Sequence, residues 1–299
     1  MSRAIFENSV TYAPLIEGFA REISDHVADE LDADPVARAT SLRQTADLID
    51  PDWLVISGRE QVLAALPDRE GESISEYEFE FVSEAQISDL AKVVRIVSEV
   101  RSEHIVCTFP DPVTMVTEVF GTGWQERLSG QAFEMLDALH RASQYLTDVL
   151  REFQGELSGV IINGTALPEA LDAGLSLNEY TLELGALFNL ADHYDIGVVV
   201  TIPSESHRLY EQLADEFDAV AFEAVEEQTA SKLPADADVV GCSFSESLWE
   251  ADDMEQFCQR LKQYCGSLPS SVRILTQEIP ASARPEYVQE FGDFIETKF

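Results

Sequence analysis

Short apolar runs alternate with amphipathic helical segments along the chain, and this alternation constrains the fold more than any other feature of the sequence. Each run has the length and composition of a strand that is buried on both faces. Because strands that alternate with helices form β-α-β units, the sequence predicts a parallel sheet. Seven strands are predicted: Asp52–Ser57, His104–Phe109, Ser158–Asn163, Gly197–Ile202, Ala219–Ala224, Asp238–Phe244 and Val272–Gln277.

Apolar residues recur at helical spacing before and between these strands. Leu15, Phe19 and Ile23 follow one another at four-residue steps, which places them on one face of a helix. Asp34 and Pro35 mark the start of the next helix, as an N-cap and a first-turn proline. The predicted helices are Pro14–Leu31, Pro35–Ile49, Ser83–Arg101, Gly130–Phe153, Leu177–Tyr194, Ser206–Phe217, Asp252–Tyr264 and Pro285–Thr297.

The architecture that fits this order best is a (β/α)8 TIM-like barrel with N-terminal helices, formed by residues 1–299 as a single domain. The eighth strand is expected within Tyr77–Val82. An open, doubly wound sheet is the alternative. Its dinucleotide-binding version is disfavoured, because no GxGxxG motif follows the first predicted strand.

The chain is strongly acidic, since 56 acidic residues face 19 basic ones and the formal net charge is −37. Such a surface repels itself unless the Debye length falls to about 3 Å, as it does near molar ionic strength. The acidic residues are spread along the whole chain. We therefore predict a protein adapted to the molar salt of a cytoplasm such as that of halophilic archaea. Nucleic acid is not an expected partner, because no basic stripe is present to neutralise phosphates.

The sequence also predicts a cytoplasmic location without membrane partners. No apolar run approaches the roughly 18 residues that a membrane span needs, and residues 1–10 lack the basic-then-apolar order of a signal peptide. The four cysteines form no CxxC pair and are expected to be free thiols. A protein partner or a homo-oligomer is left open.

Three stretches carry a more specific pattern: TADLIDPDWLVIS after Asp34-Pro35, HIVCTFPDPVTMVTEVFG from His104, and LTQEIPASARPEYVQEF from Leu275. Together they resemble the uroporphyrinogen decarboxylase superfamily, which includes that decarboxylase, corrinoid methyltransferases and cobalamin-independent methionine synthase. The second stretch is similar to the family's GPxT turn, here Asp111–Thr114, and the third to the end of the methyltransferase branch. The resemblance implies a barrel with a pocket at the carboxyl ends of its strands.

The same resemblance places the zinc ligands of the methyltransferase branch, a His-x-Cys pair and a later Cys, on Thr201, Pro203 and Gln277. None of the three is a usual zinc ligand, so we expect no metal and no bound cofactor. A corrinoid or a folate remains a substrate that the resemblance allows. Uroporphyrinogen decarboxylase activity is not expected, because Ser57-Gly58-Arg59 stands where that branch has an aspartate.

Polar residues follow several predicted strands, and in a barrel they would face one pocket. The candidate catalytic residues are His207, Glu223 and Glu278, and the candidate substrate-binding residues are Arg59, Asp111, Asn163 and Gln277.

Each of these residues also has a purely structural interpretation. His207 forms an acid–base pair with Glu205, or it lies in a segment that begins a helix. Glu223 is a buried carboxyl group suited to proton transfer, or an arginine neutralises it. Arg59 binds a carboxylate or phosphate, or it is a surface residue at the start of a helix.

Two hypotheses on function follow. The first is a small-molecule-binding barrel of the methyl-transfer or decarboxylation type that lacks the family's zinc. The second is a non-catalytic barrel that serves as a partner subunit or binding module. The missing zinc ligands favour the second hypothesis, and the polar strand ends favour the first.

Overall fold

The structure is a computed structural model that describes residues 10–24, 34–66, 84–100, 104–121, 124, 132–153, 155–234 and 240–298. Within these residues, eight parallel strands form one sheet. The strands are β1 (Thr11–Tyr12), β2 (Trp53–Ser57), β3 (His104–Pro110), β4 (Gly159–Asn163), β5 (Gly197–Pro203), β6 (Ala219–Val225), β7 (Val240–Phe244) and β8 (Val272–Leu275). Their spatial order is β1–β8–β7–β6–β5–β4–β3–β2. Each strand therefore lies beside its neighbour in the chain, except at the pair β1–β8.

The sheet closes between β1 and β2. The N–H of Asp52 donates to the carbonyl of Tyr12 at 3.0 Å, and the N–H of Tyr12 donates to the Asp52 carboxylate at 2.7 Å. Leu15 then forms parallel bridges with Val55 on one side and Glu278 on the other. The prediction of a (β/α)8 barrel is confirmed, and the alternative of an open sheet is wrong.

The eighth strand is β1, only two residues long, at the N-terminal side of the first helix. Thr11 pairs with Ile274, and Tyr12 pairs with Leu275. The segment Tyr77–Val82, where we expected this strand, lies outside the described residues. The barrel has its eight strands without it.

Helices cover the outside of the barrel. They are α1 (Glu17–Ile23), α2 (Pro35–Ile49), α3 (Arg59–Ala64), α4 (Glu84–Ser98), α5 (Pro112–Phe120), α6 (Ala132–Arg151), α7 (Leu167–Asp172), α8 (Leu177–Glu183), α9 (Gly185–Tyr194), α10 (Tyr210–Ala214), α11 (Glu227–Ala230), α12 (Met254–Ser267) and α13 (Pro285–Lys298). Two 3-10 turns, Ser204–Leu209 and Glu246–Leu248, follow β5 and β7. Among the described residues no helix combines the length and the apolar character of a membrane span.

Local signals explain several of these boundaries. The carboxylate of Asp34 accepts a hydrogen bond from the N–H of Val36 at 2.9 Å, so it caps α2 as predicted. The single helix predicted over Leu177–Tyr194 is two helices that meet at Leu184. The helix predicted from Ser206 begins instead as the 3-10 turn Ser204–Leu209.

Apolar side chains, most of them small or branched, fill the barrel interior. They belong to alternate residues of the strands, because every second side chain of a strand points to the same face. This interior cluster consists of Ala13, Trp53, Val55, Val106, Ile161, Val199, Ala219, Ala221 and Ile274, with Leu15 partly buried against it. The cluster fills the lower part of the barrel and leaves its carboxyl end to polar side chains.

Candidate functional site

A cavity of about 350 Å3 opens at the carboxyl ends of the strands. Its volume lies within the range of small-molecule sites. The described residues that line it are Leu15, Ser57, Arg59, Glu60, Thr108, Ile161, Asn163, Thr165, Thr201, Glu223, Ala224, Ser243, Phe244, Glu246, Thr276, Gln277 and Glu278.

The interior of the barrel changes from apolar to polar at one level of the sheet. In β2 to β8, the residue two positions beyond the last apolar or glycine residue of the inward-facing row has a hydroxyl, amide or carboxylate side chain, whereas in the row of Ala13 this position is Leu15. The successive pairs are Val55 and Ser57, Val106 and Thr108, Ile161 and Asn163, Val199 and Thr201, Ala221 and Glu223, Gly241 and Ser243, and Ile274 and Thr276. The period of two that points the apolar residues inward thus aims the polar ones into the cavity. We call the seven polar members of these pairs the polar ring.

Glu223 is the charged member of the polar ring, and three side chains donate hydrogen bonds to it. Asn163 Nδ2 and Thr201 Oγ1 donate to Oε1 at 2.8 and 2.6 Å. Thr165 Oγ1 lies 3.2 Å from Oε2. These contacts join β4, β5 and β6 at their carboxyl ends, and they hold the carboxylate in a fixed position. A neighbouring arginine, the structural interpretation considered above, is not among its described partners.

The backbone next to Glu223 is strained. Ala224 has a φ of 51°, in the left-handed region that a residue with a Cβ seldom occupies. The pairing of β6 with β7 shifts register between Phe222 and Val225, so a bulge accommodates this conformation. The N–H of Ala224 donates to Ser243 Oγ at 3.3 Å. Strain of this kind is common at ligand sites, and here it borders the cavity directly.

Glu278 lies at the rim of the cavity with two other rim carboxylates and Glu223 near it. Partial burial raises the pKa of Glu278 above its usual range, and repulsion from Glu246, Glu223 and Glu60 raises it further. A carboxyl group of this kind takes up a proton more readily than an exposed glutamate does. The cavity therefore combines a carboxyl group at Glu278, whose proton affinity is raised, with a fixed hydrogen-bond acceptor at Glu223.

Two of the predicted substrate-binding residues line the cavity with different freedom to contact a ligand. Arg59 begins α3, and its buried Nε has no hydrogen-bond partner among the described residues. Gln277 is buried and its amide is used by the backbone: Oε1 accepts from the N–H of Phe244 at 2.8 Å, and Nε2 donates to the carbonyl of Glu278 at 2.9 Å. Arg59 is thus available to a ligand, whereas Gln277 supports the end of β8.

The structure places two of the predicted site residues away from the cavity lining. His207 is exposed within the 3-10 turn Ser204–Leu209, which carries the chain away from the end of β5. Asp111 is fully buried at the N-cap of α5, where it accepts from the N–H of Thr114 at 2.8 Å. Tyr180 Oη lies 3.4 Å from its second oxygen. Neither residue lines the cavity that the other candidates share, and the roles proposed for them stay predictions.

Sequence reasoning did not assign a role to Thr108, Ser243 or Thr276. The signal for them was available, because each lies two residues beyond an inward-facing Val106, Gly241 or Ile274. Counting by two along every strand, instead of looking for residues with acid–base chemistry, would have found them.

No group of three or more histidine, cysteine, aspartate or glutamate side chains in the described ranges is arranged to hold a metal ion. Of the three positions that the resemblance gives to the zinc ligands, Thr201 and Gln277 line the cavity, whereas Pro203 at the end of β5 does not. Thr201 Oγ1 donates to Glu223 and the Gln277 amide is bonded to backbone. The residues present do not fit the zinc ion of the methyltransferase branch.

Comparison with known proteins gives a fold and no sequence family. No family model matches the chain, and no curated protein matches it by sequence. Among solved structures, a methyltransferase from Methanosarcina mazei is similar over 97% of this chain and 92% of that one, with 12% identity and a TM-score of 0.71.

Two further structures have the same fold. A protein from Listeria monocytogenes that is assigned as a vitamin-B12-independent methionine synthase covers 98% of this chain and 96% of its own, with 13% identity and a TM-score of 0.55. A GH5_18 protein from Bifidobacterium longum, in complex with Manβ1-4GlcNAc, covers 90% of this chain and 74% of its own, with 12% identity and a TM-score of 0.57. Two kinds of protein named by the resemblance, a methyltransferase and a methionine synthase, are thus structural neighbours of this chain, and what they share with it is the (β/α)8 fold.

Proposed function

We propose that this chain is a member of the uroporphyrinogen decarboxylase superfamily, of the methyltransferase-like type, that binds a small molecule at the barrel mouth without zinc. The observation that carries the proposal is the polar ring around the cavity, with Glu223 held by three donors. An interior that had lost its ligand would be free to fill with apolar side chains, as the lower part of this barrel does. The methyltransferase and methionine synthase neighbours support the choice of superfamily.

The non-catalytic alternative rests on a different observation. Gln277, at the position of a family cysteine, is an internal support for the backbone of Phe244 and Glu278. A barrel that has turned a metal-ligand position into a structural one no longer performs the chemistry of that metal. Such a protein would keep the cavity for binding alone, or would act as a partner subunit.

A ligand screen tests the proposal. In molar salt, methylcobalamin, methyltetrahydrofolate and a porphyrinogen are added separately and the melting temperature is measured. A ligand at 100 times its Kd stabilises a protein by about 2.7 kcal/mol, which raises the melting temperature of a chain of this size by about 5 °C. We expect such a shift with at least one small molecule, and we expect Glu223→Gln to abolish it.

The matched control for that screen is Glu205→Gln. Glu205 is exposed in the turn after β5 and does not line the cavity, so its substitution leaves the ligand-induced shift intact. If neither these compounds nor the sugar-based compounds described below shift the melting temperature, the small-molecule proposal is wrong and the partner-subunit alternative replaces it.

Metal analysis tests the zinc-free part of the proposal. Protein purified in molar salt with zinc in the growth medium should carry substoichiometric zinc, because Thr201 and Gln277 offer a hydroxyl and an amide instead of imidazole and thiolate. One zinc ion per chain would show that the carry-over of the ligand positions to Thr201, Pro203 and Gln277 is mistaken.

We also propose that the protein works in a cytoplasm of molar salt, on the evidence of its net charge of −37. Dialysis from about 3 M to about 0.1 M potassium chloride increases the Debye length from a few ångströms to about 10 Å. Carboxylates that lie farther apart on the surface then repel one another. Circular dichroism should show loss of secondary structure on dialysis. Equal melting temperatures at the two salt concentrations would contradict the proposed salt adaptation.

A further inference from the structure

The charges around the cavity are unbalanced. Among the described residues that line it, Glu60, Glu223, Glu246 and Glu278 carry carboxylates, and Arg59 carries the single guanidinium. The charges that act most on Glu278 are those of the three other carboxylates. An anionic ligand would add to this repulsion, whereas a cationic ligand would relieve it.

A second observation points to a ligand independently of charge. Thr108 and Thr276 are 6% and 5% exposed and line the cavity. Each follows an inward-facing apolar residue at a spacing of two, so its hydroxyl points into the cavity. Neither hydroxyl has a hydrogen-bond partner among the described side chains and backbone groups. Polar groups on largely buried side chains are normally hydrogen-bonded, and the open side of these two hydroxyls is the cavity.

Thr201 shows what a satisfied hydroxyl looks like at the same level of the barrel. It is as buried as the other two, and its Oγ1 donates to Glu223 at 2.6 Å. The hydroxyls of Thr108 and Thr276, in contrast, have no described hydrogen-bond partner and can bond to a ligand. A threonine hydroxyl both donates and accepts, so it is suited to hydroxyl groups on a ligand.

We propose that the ligand of this cavity is a small polyhydroxylated amine in its protonated form, whose ammonium group lies among the carboxylates of Glu223, Glu246 and Glu278 and whose hydroxyls bond to Thr108 and Thr276. This inference rests on the proposed function, since it names the ligand class for the same cavity. It concerns binding and requires no chemical step. A protonated amine also competes well in molar salt, because charges inside a partly enclosed cavity are screened less than those on an open surface.

Three sugars of similar shape that differ in charge test the inference. Glucosamine, glucose and glucuronate differ mainly in carrying a cationic, a neutral and an anionic group, and isothermal titration in about 2 M potassium chloride compares their affinities. We expect glucosamine to bind at least tenfold more tightly than glucose, and glucuronate to bind least. We expect Glu246→Gln/Glu278→Gln to reduce the preference for glucosamine over glucose by about tenfold, while Glu205→Gln preserves it.

The hydroxyl part of the inference has its own variants. Thr108→Val and Thr276→Val keep the shape of each side chain, and each should weaken both glucosamine and glucose several-fold. Folding of every variant is checked by its melting temperature without ligand, so that a loss of binding is not mistaken for a loss of structure.

Several outcomes would overturn the inference. Equal or tighter binding of glucose or glucuronate would overturn it and leave the small-molecule proposal intact. No binding of any of the three would also overturn it, and a melting shift with methylcobalamin or methyltetrahydrofolate would then show that the cavity binds a different class. A stabilisation by magnesium chloride alone, at matched ionic strength and lost in Glu246→Gln/Glu278→Gln, would assign the carboxylates to a metal ion instead.

Discussion

Replacement of Arg38 by methionine is expected to lower the free energy of unfolding by about 3–5 kcal/mol, because it leaves a buried carboxylate without its partner. Arg38 of α2 and Glu17 of α1 form an ion pair whose side chains are 11% and 14% exposed. Arg38 Nε donates to Glu17 Oε1 at 2.5 Å, and its guanidinium donates to the carbonyl of Ser57 at 2.9 Å. The N–H of Ser57 donates to the second oxygen of Glu17 at 3.1 Å.

This network fastens two helices to the end of β2, where Ser57 belongs to the polar ring. Burial raises the pKa of Glu17, and the adjacent charge of Arg38 opposes that rise. Without Arg38 the burial penalty acts alone, so the Glu17 carboxylate must either take up a proton or draw in water. Both responses disturb the packing of α1 against α2.

The double variant Glu17→Met/Arg38→Met distinguishes a broken charge pair from a general loss of packing. It removes both charges, so it should recover most of the stability lost in Arg38→Met, short of the wild type by the two hydrogen bonds to the backbone of Ser57. Urea unfolding in molar salt measures all three proteins. Arg208→Met is the surface control, because its ion pair with Asp172 at 3.2 Å is exposed and should contribute less than about 1 kcal/mol. If Arg38→Met costs no more than Arg208→Met, or if the double variant is no more stable than the single one, the pair does not stabilise the fold as described.

Asp111 should make the stability of the protein fall as the pH rises from about 4 to about 6. Burial raises the pKa of its carboxyl group from 3.8 to about 6, against the opposing effect of hydrogen bonds from Thr114 and Tyr180. Between these two values the folded protein holds a proton that the unfolded chain has released. Stability gained from that proton is complete below the unfolded pKa and is lost as the pH passes the folded pKa, for a total of about 3 kcal/mol.

Comparison with Asp111→Asn isolates this effect from the titration of the many other carboxylates. Asparagine keeps an oxygen that accepts the N–H of Thr114, and it carries no charge at any pH. The stability of the wild type relative to Asp111→Asn should therefore fall by about 2.4 kcal/mol between pH 4 and pH 7, measured by urea unfolding in molar salt. The control is Asp253→Asn, at the exposed N-cap of α12, where the side chain accepts from the N–H of Gln256 at 2.9 Å. For each variant, the difference in unfolding free energy from the wild type is plotted against pH. If the slope for Asp111→Asn is no steeper than that for Asp253→Asn, the raised pKa assigned to Asp111 is refuted.

The fold followed from the sequence because short apolar strands and amphipathic helices alternate along the chain. The strand that the sequence did not reveal is β1, since two residues cannot display a period and its partner β8 lies at the other end of the chain. Pairing over that distance is a tertiary property. No local sequence pattern near Thr11 indicates that this segment pairs with β8.

The candidate site was predictable where a residue continues the inward-facing row of its strand, as Asn163 and Glu223 do. His207 failed this test, because proximity to the end of β5 in sequence says nothing about the direction that the 3-10 turn gives to the chain. Asp111 failed for another reason. An aspartate before a proline at a helix start is a capping signal, and here that local role uses the carboxylate that we had assigned to substrate.

The closure of the barrel between β1 and β2 has a consequence for the order in which its strands pair during synthesis on the ribosome. Leu15 bridges Val55 and Glu278, and β1 pairs with β8, so the first strand of the barrel finds its partner only after the other strands have been synthesised. The nascent chain therefore exposes the edge of β1 until its partner β8 has emerged. We therefore expect the mouth of the barrel, which contains Ser57 and Glu278, to be completed late in folding.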